Sequence, residues 1–236
     1  MLSERVDLRV AFHHFDGTVY VNCKFVFKNT GPACNARIGF PDQGDADGAD
    51  DTNPGPYTVL DHFRSWVDGR RVSTKLIAGP ADLNPLSWHV KTVHFAAHQT
   101  RVIRDSYSQK LGGGTTSSPY RSLNVSSIWD VAYEMDTGAS WLGKIGSAIV
   151  RVEMPFAVKK SRPFPGRGNP YEYKRWSWLG PRQVMYQGFS RAVSHGRALE
   201  FSKTNFKPSE DSDVHVYWPV PGGRDLDGYD NVHGRY

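Results

Sequence analysis

The sequence predicts an all-β protein, an antiparallel β-sandwich carrying long surface loops. Three observations predict it. Apolar and polar residues alternate with a period of two in about a dozen short runs, and β-branched and aromatic residues fill them. Clusters of Gly, Pro, Asn and Asp separate those runs. Helical periodicity is scarce, which leaves a sandwich or barrel with antiparallel pairing as the architecture.

The first run is "VDLRVAF", closed by "FDG". Next comes "VYVNCKFVFKN", with Val19, Val21, Cys23, Phe25 and Phe27 on one face and Tyr20, Asn22, Lys24 and Lys28 on the other. Across "NTGP" the chain enters "CNARIGFP", and the two runs read as a hairpin in which Cys23 and Cys34 cannot lie opposite each other. Both cysteines are therefore expected to be unpaired, as small buried thiols. "VLDHFRSWV" and "RVSTKLI" flank Asp68-Gly69, the pair a two-residue hairpin needs for positive φ. In "WHVKTVHF" His94 shares a face with Trp88, while His89 lies opposite. "RVIRDSY" follows, then "LGGGTTSSP", read as a turn. The remaining runs are "WDVAYEM", "SAIVRVEM", "QVMYQGF", "RALEFSKTNF" and "VHVYW". "DQGDADGADDTNPGP" and "SRPFPGRGNPYEYKRW" are Gly- and Pro-rich surface loops. Residues 1–218 are assigned to the sandwich, with a subdivision into two β units conceivable near 112–119, and 219–236 to a polar tail.

With 236 residues, 13% aromatic and 39% hydrophobic, the chain can bury a sizeable core. A net charge of +5, from 29 basic and 24 acidic residues, falls short of a dedicated nucleic-acid binder, and no nucleic-acid partner is expected. No apolar run reaches about 18 residues, the length of a spanning helix. "MLSERVDLRV" has none of the parts of a signal peptide.

From Val19 to Leu111 the signals come in a distinctive order: "FVFKNTGPACNARIGFPD", "FRSWVDGRRV", "WHVKTVHFAAHQTRVIRDSY" and "LGGG". This stretch resembles a bacterial family of uncharacterised extracytoplasmic proteins, the domain of unknown function 4424. Its members show a strand ending in asparagine and a small residue, an apolar strand ending in Phe-Pro, a Val-Asp-Gly hairpin, and a Phe-x-Ala turn before a strand ending in Tyr. "TGASWLGKIGSAIVRVEMP" looks like the continuation, so the resemblance covers roughly two thirds of the chain. It implies an export-destined β-sandwich, periplasmic or secreted, and supplies no catalytic residues.

The letters "DTGAS" beginning at Asp136 match the active-site loop of an aspartic protease. That chemistry needs two carboxylates sharing a proton, each from its own loop, and this chain has one such triplet. Glu134, just before it, suits a turn better than the buried strand such a loop requires, so Asp136 reads as a turn residue and the hydrolase as a subordinate alternative. "DADGADD" and "DLDGYDN" share a D-x-D-G-x-D pattern, and Asp45, Asp47, Asp50, Asp225, Asp227 and Asp230 are the candidate calcium ligands. They lack EF-hand spacing and a terminal bidentate Glu, so solvated acidic loops are the default and no cofactor is required. Lys159, Lys160, Arg162, Arg167, Lys174 and Arg175 interleave with Phe164, Tyr171, Tyr173 and Trp176, a pattern that suits phosphates or an acidic glycan but also a Pro-rich connection pinned by aromatic plugs.

No complete catalytic set emerges. The expected function is a non-catalytic module of an exported protein with a structural or interaction role, its partner a protein or glycan. The alternative is a glycan-binding module using exposed residues among Trp66, Trp88, Trp129, Trp141, Trp176, Trp178 and Trp218, because aromatic platforms stack on sugar faces.

Overall fold

A computed structural model describes residues 1–13, 16–42, 58–79, 87–120, 125–135, 143–164 and 182–219. Within them the protein is built of strands, here numbered in chain order, with no α-helix and a single 3-10 turn, Glu210–Ser212. An eight-stranded sheet runs in the order β14 (Val193–His195), β15 (Ala198–Phe206), β11 (Ile145–Glu153), β1 (Ser3–His13), β2 (Asp16–Lys28), β8 (Thr100–Lys110), β4 (Asp61–Val67) and β5 (Arg70–Val72). A five-stranded sheet runs β12 (Lys160–Pro163), β13 (Gln183–Gln187), β16 (Val214–Pro219), β10 (Val125–Tyr133) and β9 (Gly112–Tyr120). A three-stranded sheet runs β3 (Cys34–Asp42), β7 (Ser87–Phe95) and β6 (Lys75–Ala78).

Residues paired across neighbouring strands share a face, so the registers define the buried side of the large sheet. One row across it reads Phe201, Val150, Val6, Cys23, Asp105 and Ser65. The adjacent rows read Leu199, Val152, Leu8, Val21 and Tyr107 on one side, and Ala148, Glu4, Phe25, Ile103 and Val67 on the other. Both smaller sheets cover this same side. The larger core joins the first strands to Val131, Val184, Tyr186, Val214, Val216 and Trp218 of the five-stranded sheet. The smaller core joins Phe27, Val67 and Ile103 to Ile38, Val93 and Phe95 of the three-stranded sheet. Each such side chain, fully buried, contributes about 1.5–3 kcal/mol. The result is an open all-β sandwich with one broad sheet on one side and two side by side on the other.

Alternation placed the faces of β2 correctly, and Asp68-Gly69 forms the expected hairpin with φ of 47° and 81°. Asp68 does more than turn. Its carboxylate accepts from the Val102 N–H at 2.9 Å and from Arg101 at 3.1 Å, stitching the hairpin to β8.

The expected hairpin between β2 and β3 does not form. β2 is paired along its length by β1 on one edge and β8 on the other, so β3 has no free edge to join and crosses to the three-stranded sheet. "NTGP" is the corner of that crossing. Asn29 holds it, donating to Pro32 O at 2.7 Å and Ala96 O at 3.0 Å while accepting from Gly31 N–H at 3.0 Å. "RVSTKLI" likewise divides into β5 and β6, which belong to different sheets. "LGGGTTSSP" lies in strand β9 rather than in a turn; a Cβ at Gly112 would come within 2.7 Å of Asp130, so this glycine serves a close approach within a sheet. Pairing is not wholly antiparallel either, since β1 runs parallel to β11 and β12 to β13.

The cysteines are unpaired, but Cys34 is exposed at the start of an edge strand, correcting the expectation that both are buried. In native protein Cys34 should react with a thiol reagent within minutes, while Cys23, 2% exposed, should react after denaturation. Two fast thiols, or none, would show the strand faces to be misassigned.

Candidate functional site

The two covering sheets do not meet edge to edge. Between β3, at the edge of one, and the end of β10, in the other, a cleft of about 420 Å³ opens onto the large sheet. Its floor is Glu4, Phe25, Phe27 and Asp105, and its walls include Phe40, Trp88, Tyr133 and Met135. Arg37 and Glu134 also line it. Gly39 shapes the β3 wall, because the Trp88 ring lies against it where a Cβ would sit 3.0 Å from the ring edge.

Polar ties cross this seam. Lys91, on the inner face of β7, donates to both carboxylate oxygens of Asp105 at 2.8 Å, and both side chains are 2% exposed. Tyr133 donates from its hydroxyl to Glu4 Oε1 at 2.9 Å, joining β10 to β1, and the Cys23 thiol approaches the same hydroxyl at 3.8 Å. Each covering sheet is thus fastened to the large one by a polar pair as well as by apolar packing.

Glu4 differs from Asp105 in having no ion pair among the described residues. Burial drives its carboxyl up to about 7, and the Tyr133 hydrogen bond pulls the other way. Burial also raises the Cys23 thiol well above its ordinary value, with Asp105 adding to the effect, so Cys23 is a core residue rather than a nucleophile.

A second polar cluster borders the seam. Asp42 accepts from the Val59 and Leu60 N–H groups at 2.8 and 3.2 Å and pairs with His89 Nε2 at 2.9 Å. Burial raises the Asp42 carboxyl, but hydrogen bonds from His89, Thr58 and Val59 outweigh it and hold the group below its usual value. Phe63 stacks flat on His89 at 3.9 Å. Ser87 stands two residues before His89 on the same face, yet its buried hydroxyl bonds neither His89 nor any other described residue, so Asp42, His89 and Ser87 are not linked as a nucleophilic triad. The arrangement anchors the chain where it returns at 58–60.

Asp136 and the six candidate calcium ligands, Asp45, Asp47, Asp50, Asp225, Asp227 and Asp230, lie outside the described residues. So do Arg167, Tyr171, Tyr173, Lys174, Arg175 and Trp176 of the basic loop, together with Trp141 and Trp178. Among the described residues no group of three or more His, Cys, Asp or Glu could hold a metal ion. No helix there is long and apolar enough to cross a membrane. Of the described tryptophans, Trp218 is buried and Trp66, Trp88 and Trp129 are half-buried, so none is fully exposed. Alternation alone does not mark Glu4, Lys91 or Asp105 as functional; their signal in the sequence is a charged residue on the apolar face of an alternating run.

No protein-family model and no curated protein matches the sequence. Among solved structures, the chain is similar to a Legionella pneumophila protein provisionally called a nutrient binding protein, with a TM-score of 0.59 at 17% identity over 92% of this chain. That overlap spans 66% of the Legionella protein and shows a shared fold. Leukotriene A4 hydrolase from Saccharomyces cerevisiae overlaps 92% of this chain and 28% of its own at 11% identity, with a TM-score of 0.42, below the level of a common fold.

Removing one partner of the buried ion pair leaves the other charge uncompensated. Asp105→Asn should destabilise the protein by about 3–5 kcal/mol, whereas Lys91→Met with Asp105→Leu should recover most of that loss. Chemical denaturation of the two variants checks this, and equal losses in both would contradict it.

Glu4 sets a pH dependence whose sign follows from its raised value. The folded state holds the Glu4 proton more tightly than the unfolded chain, so this contribution is complete below 4.5 and is lost as pH rises to about 7. The loss is on the order of 3 kcal/mol. Glu4→Gln should accordingly be more stable than wild type at pH 8 and close to it at pH 4.5, measured by urea denaturation at both.

Proposed function

We propose that this chain is a non-catalytic binding module of an exported bacterial protein, of the kind the domain of unknown function 4424 resemblance implies, and that the seam between the covering sheets is its ligand site. The observation that carries the reading is Glu4: a carboxyl 5% exposed on the floor of an aromatic-walled cleft, with a single hydrogen bond and no ion pair among the described residues, although Met1 and Arg37 also line the cleft. A buried charge without a partner is costly, and clefts that combine apolar walls with one aimed polar group are the usual form of small-molecule sites. A small organic cation with an apolar body answers both features, its ammonium to Glu4 and its body to Phe25 and Trp88. The fold shared with the Legionella protein agrees with a binding role. Export and the extracytoplasmic setting rest on the sequence resemblance, and the aspartic-type reading of Asp136 has a single carboxylate to support it.

The test is a thermal-shift titration at pH 8 with 2-phenylethylamine and, as its uncharged counterpart, ethylbenzene. The amine should raise the melting temperature by mass action, and Glu4→Gln or Trp88→Ala should remove the shift. Below pH 7 the shift should shrink, because Glu4 takes up a proton. An amine effect unchanged in both variants would place binding outside the seam and refute the assignment.

A further inference from the structure

The side of the large sheet that faces away from both covering sheets carries a feature the seam does not explain. Arg5 pairs across the strands with Lys24, Lys24 with Arg104, Arg104 with Trp66, and Trp66 with Arg71. Five adjacent strands, β1, β2, β8, β4 and β5, therefore present Arg, Lys, Arg, Trp and Arg in one straight row. The four basic residues are exposed and Trp66 is half-buried among them. Arg64 flanks the row one step along β4, opposite Ser106.

Like charges set directly opposite each other on paired strands destabilise a sheet, and a surface selected for stability alone would alternate their signs. Here Lys24 stands between two arginines. Arg5 has a local answer in Asp7 at 3.0 Å, but Lys24, Arg104 and Arg71 have no ion pair among the described residues. A row that opposes folding, with three of its four cations unpaired among the described residues, suits an anion from outside.

We infer that this face binds an acidic polysaccharide laid across the strands, one carboxylate to each basic residue and a sugar ring against Trp66. The strands step by about 4.8 Å, close to the length of one pyranose, and a 1,4-linked polyuronate carries a carboxylate on every sugar. Arginine forks take carboxylates in bidentate fashion, and an indole face packs on the apolar side of a sugar. A single-stranded nucleic acid would call for several aromatic rings to receive successive bases, whereas the row holds one. A membrane surface would call for large apolar side chains to enter it, whereas the row on one side is Arg151, Asp7, Asn22, Ser106 and Arg64 and the row on the other, Ser147, Ser3, Val26 and Val102, offers two half-buried valines.

Calorimetric titration of the whole chain with hexagalacturonate tests the inference. Binding should weaken at least about tenfold between 20 and 200 mM salt, and maltohexaose, which lacks carboxylates, should not bind. Lys24→Gln with Arg104→Gln should reduce affinity about tenfold or more while raising the melting temperature by about 1–3 °C, because the repulsion is removed. Lys75→Gln, which deletes one exposed charge from the three-stranded sheet, should leave affinity unchanged. No binding of hexagalacturonate, an unaffected double variant, or tighter binding of an eight-residue oligothymidylate or of phosphatidylglycerol vesicles would each overturn it.

Discussion

Lys91 and Asp105 meet at the place where three sheets converge, and much of the architecture follows from keeping their charges together. The large sheet has a wide apolar face that one small sheet cannot cover, so two sheets share the task. A boundary between two covers is a place where apolar packing alone would let either one slide. The 2.8 Å bonds from Lys91 to both Asp105 oxygens fix the three-stranded sheet in register over β8, and the Tyr133–Glu4 bond fixes the five-stranded sheet over β1. Directional bonds specify position where dispersion contacts do not, and breaking one leaves a desolvated charge behind.

The two ties are not equivalent, and their difference separates scaffold from site. Asp105 is neutralised within the protein, so it belongs to the scaffold. Glu4 receives one neutral donor and keeps its proton up to about pH 7, so at higher pH it is a source of strain that a cationic ligand would relieve. The protein gives up stability at the position the cleft exposes, a pattern common where a surface is selected for binding. The row of Arg5, Lys24, Arg104 and Arg71 on the opposite face has the same logic, with like charges held at strand spacing. Both features break local rules of good packing, and both lie where a ligand could reach them.

Much of the fold was legible in the chain. The alternation in "VYVNCKFVFKN" placed Val19, Val21 and Cys23 inward and Lys24 outward, and Asp68-Gly69 announced its hairpin, because period and turn chemistry are local properties. The site was not legible to the same degree. Glu4 stands at the edge of the first alternating run, where a charged residue ordinarily marks a strand end in water. Lys91 sits on the inward face of "WHVKTVHF", where alternation alone would label it an exception without a cause. Their partners lie 129 and 14 residues away, and no spacing within either run points to them.

What the sequence determined by itself was the class of structure and the facing of individual strands, since steric preference and period-two burial act between near neighbours. Only the tertiary structure decided which strands pair. It sent β3 away from β2 because both edges of β2 were taken, laid β11 parallel beside β1, and turned the glycines of β9 from a supposed turn into a sheet edge. The same choice aligned four basic residues from four strands into one row and opened the seam over Glu4. The physical reason is that backbone hydrogen bonds between strands are the same for every sequence. The choice of partner is therefore made by the packing of whole faces, and no single stretch of chain contains it.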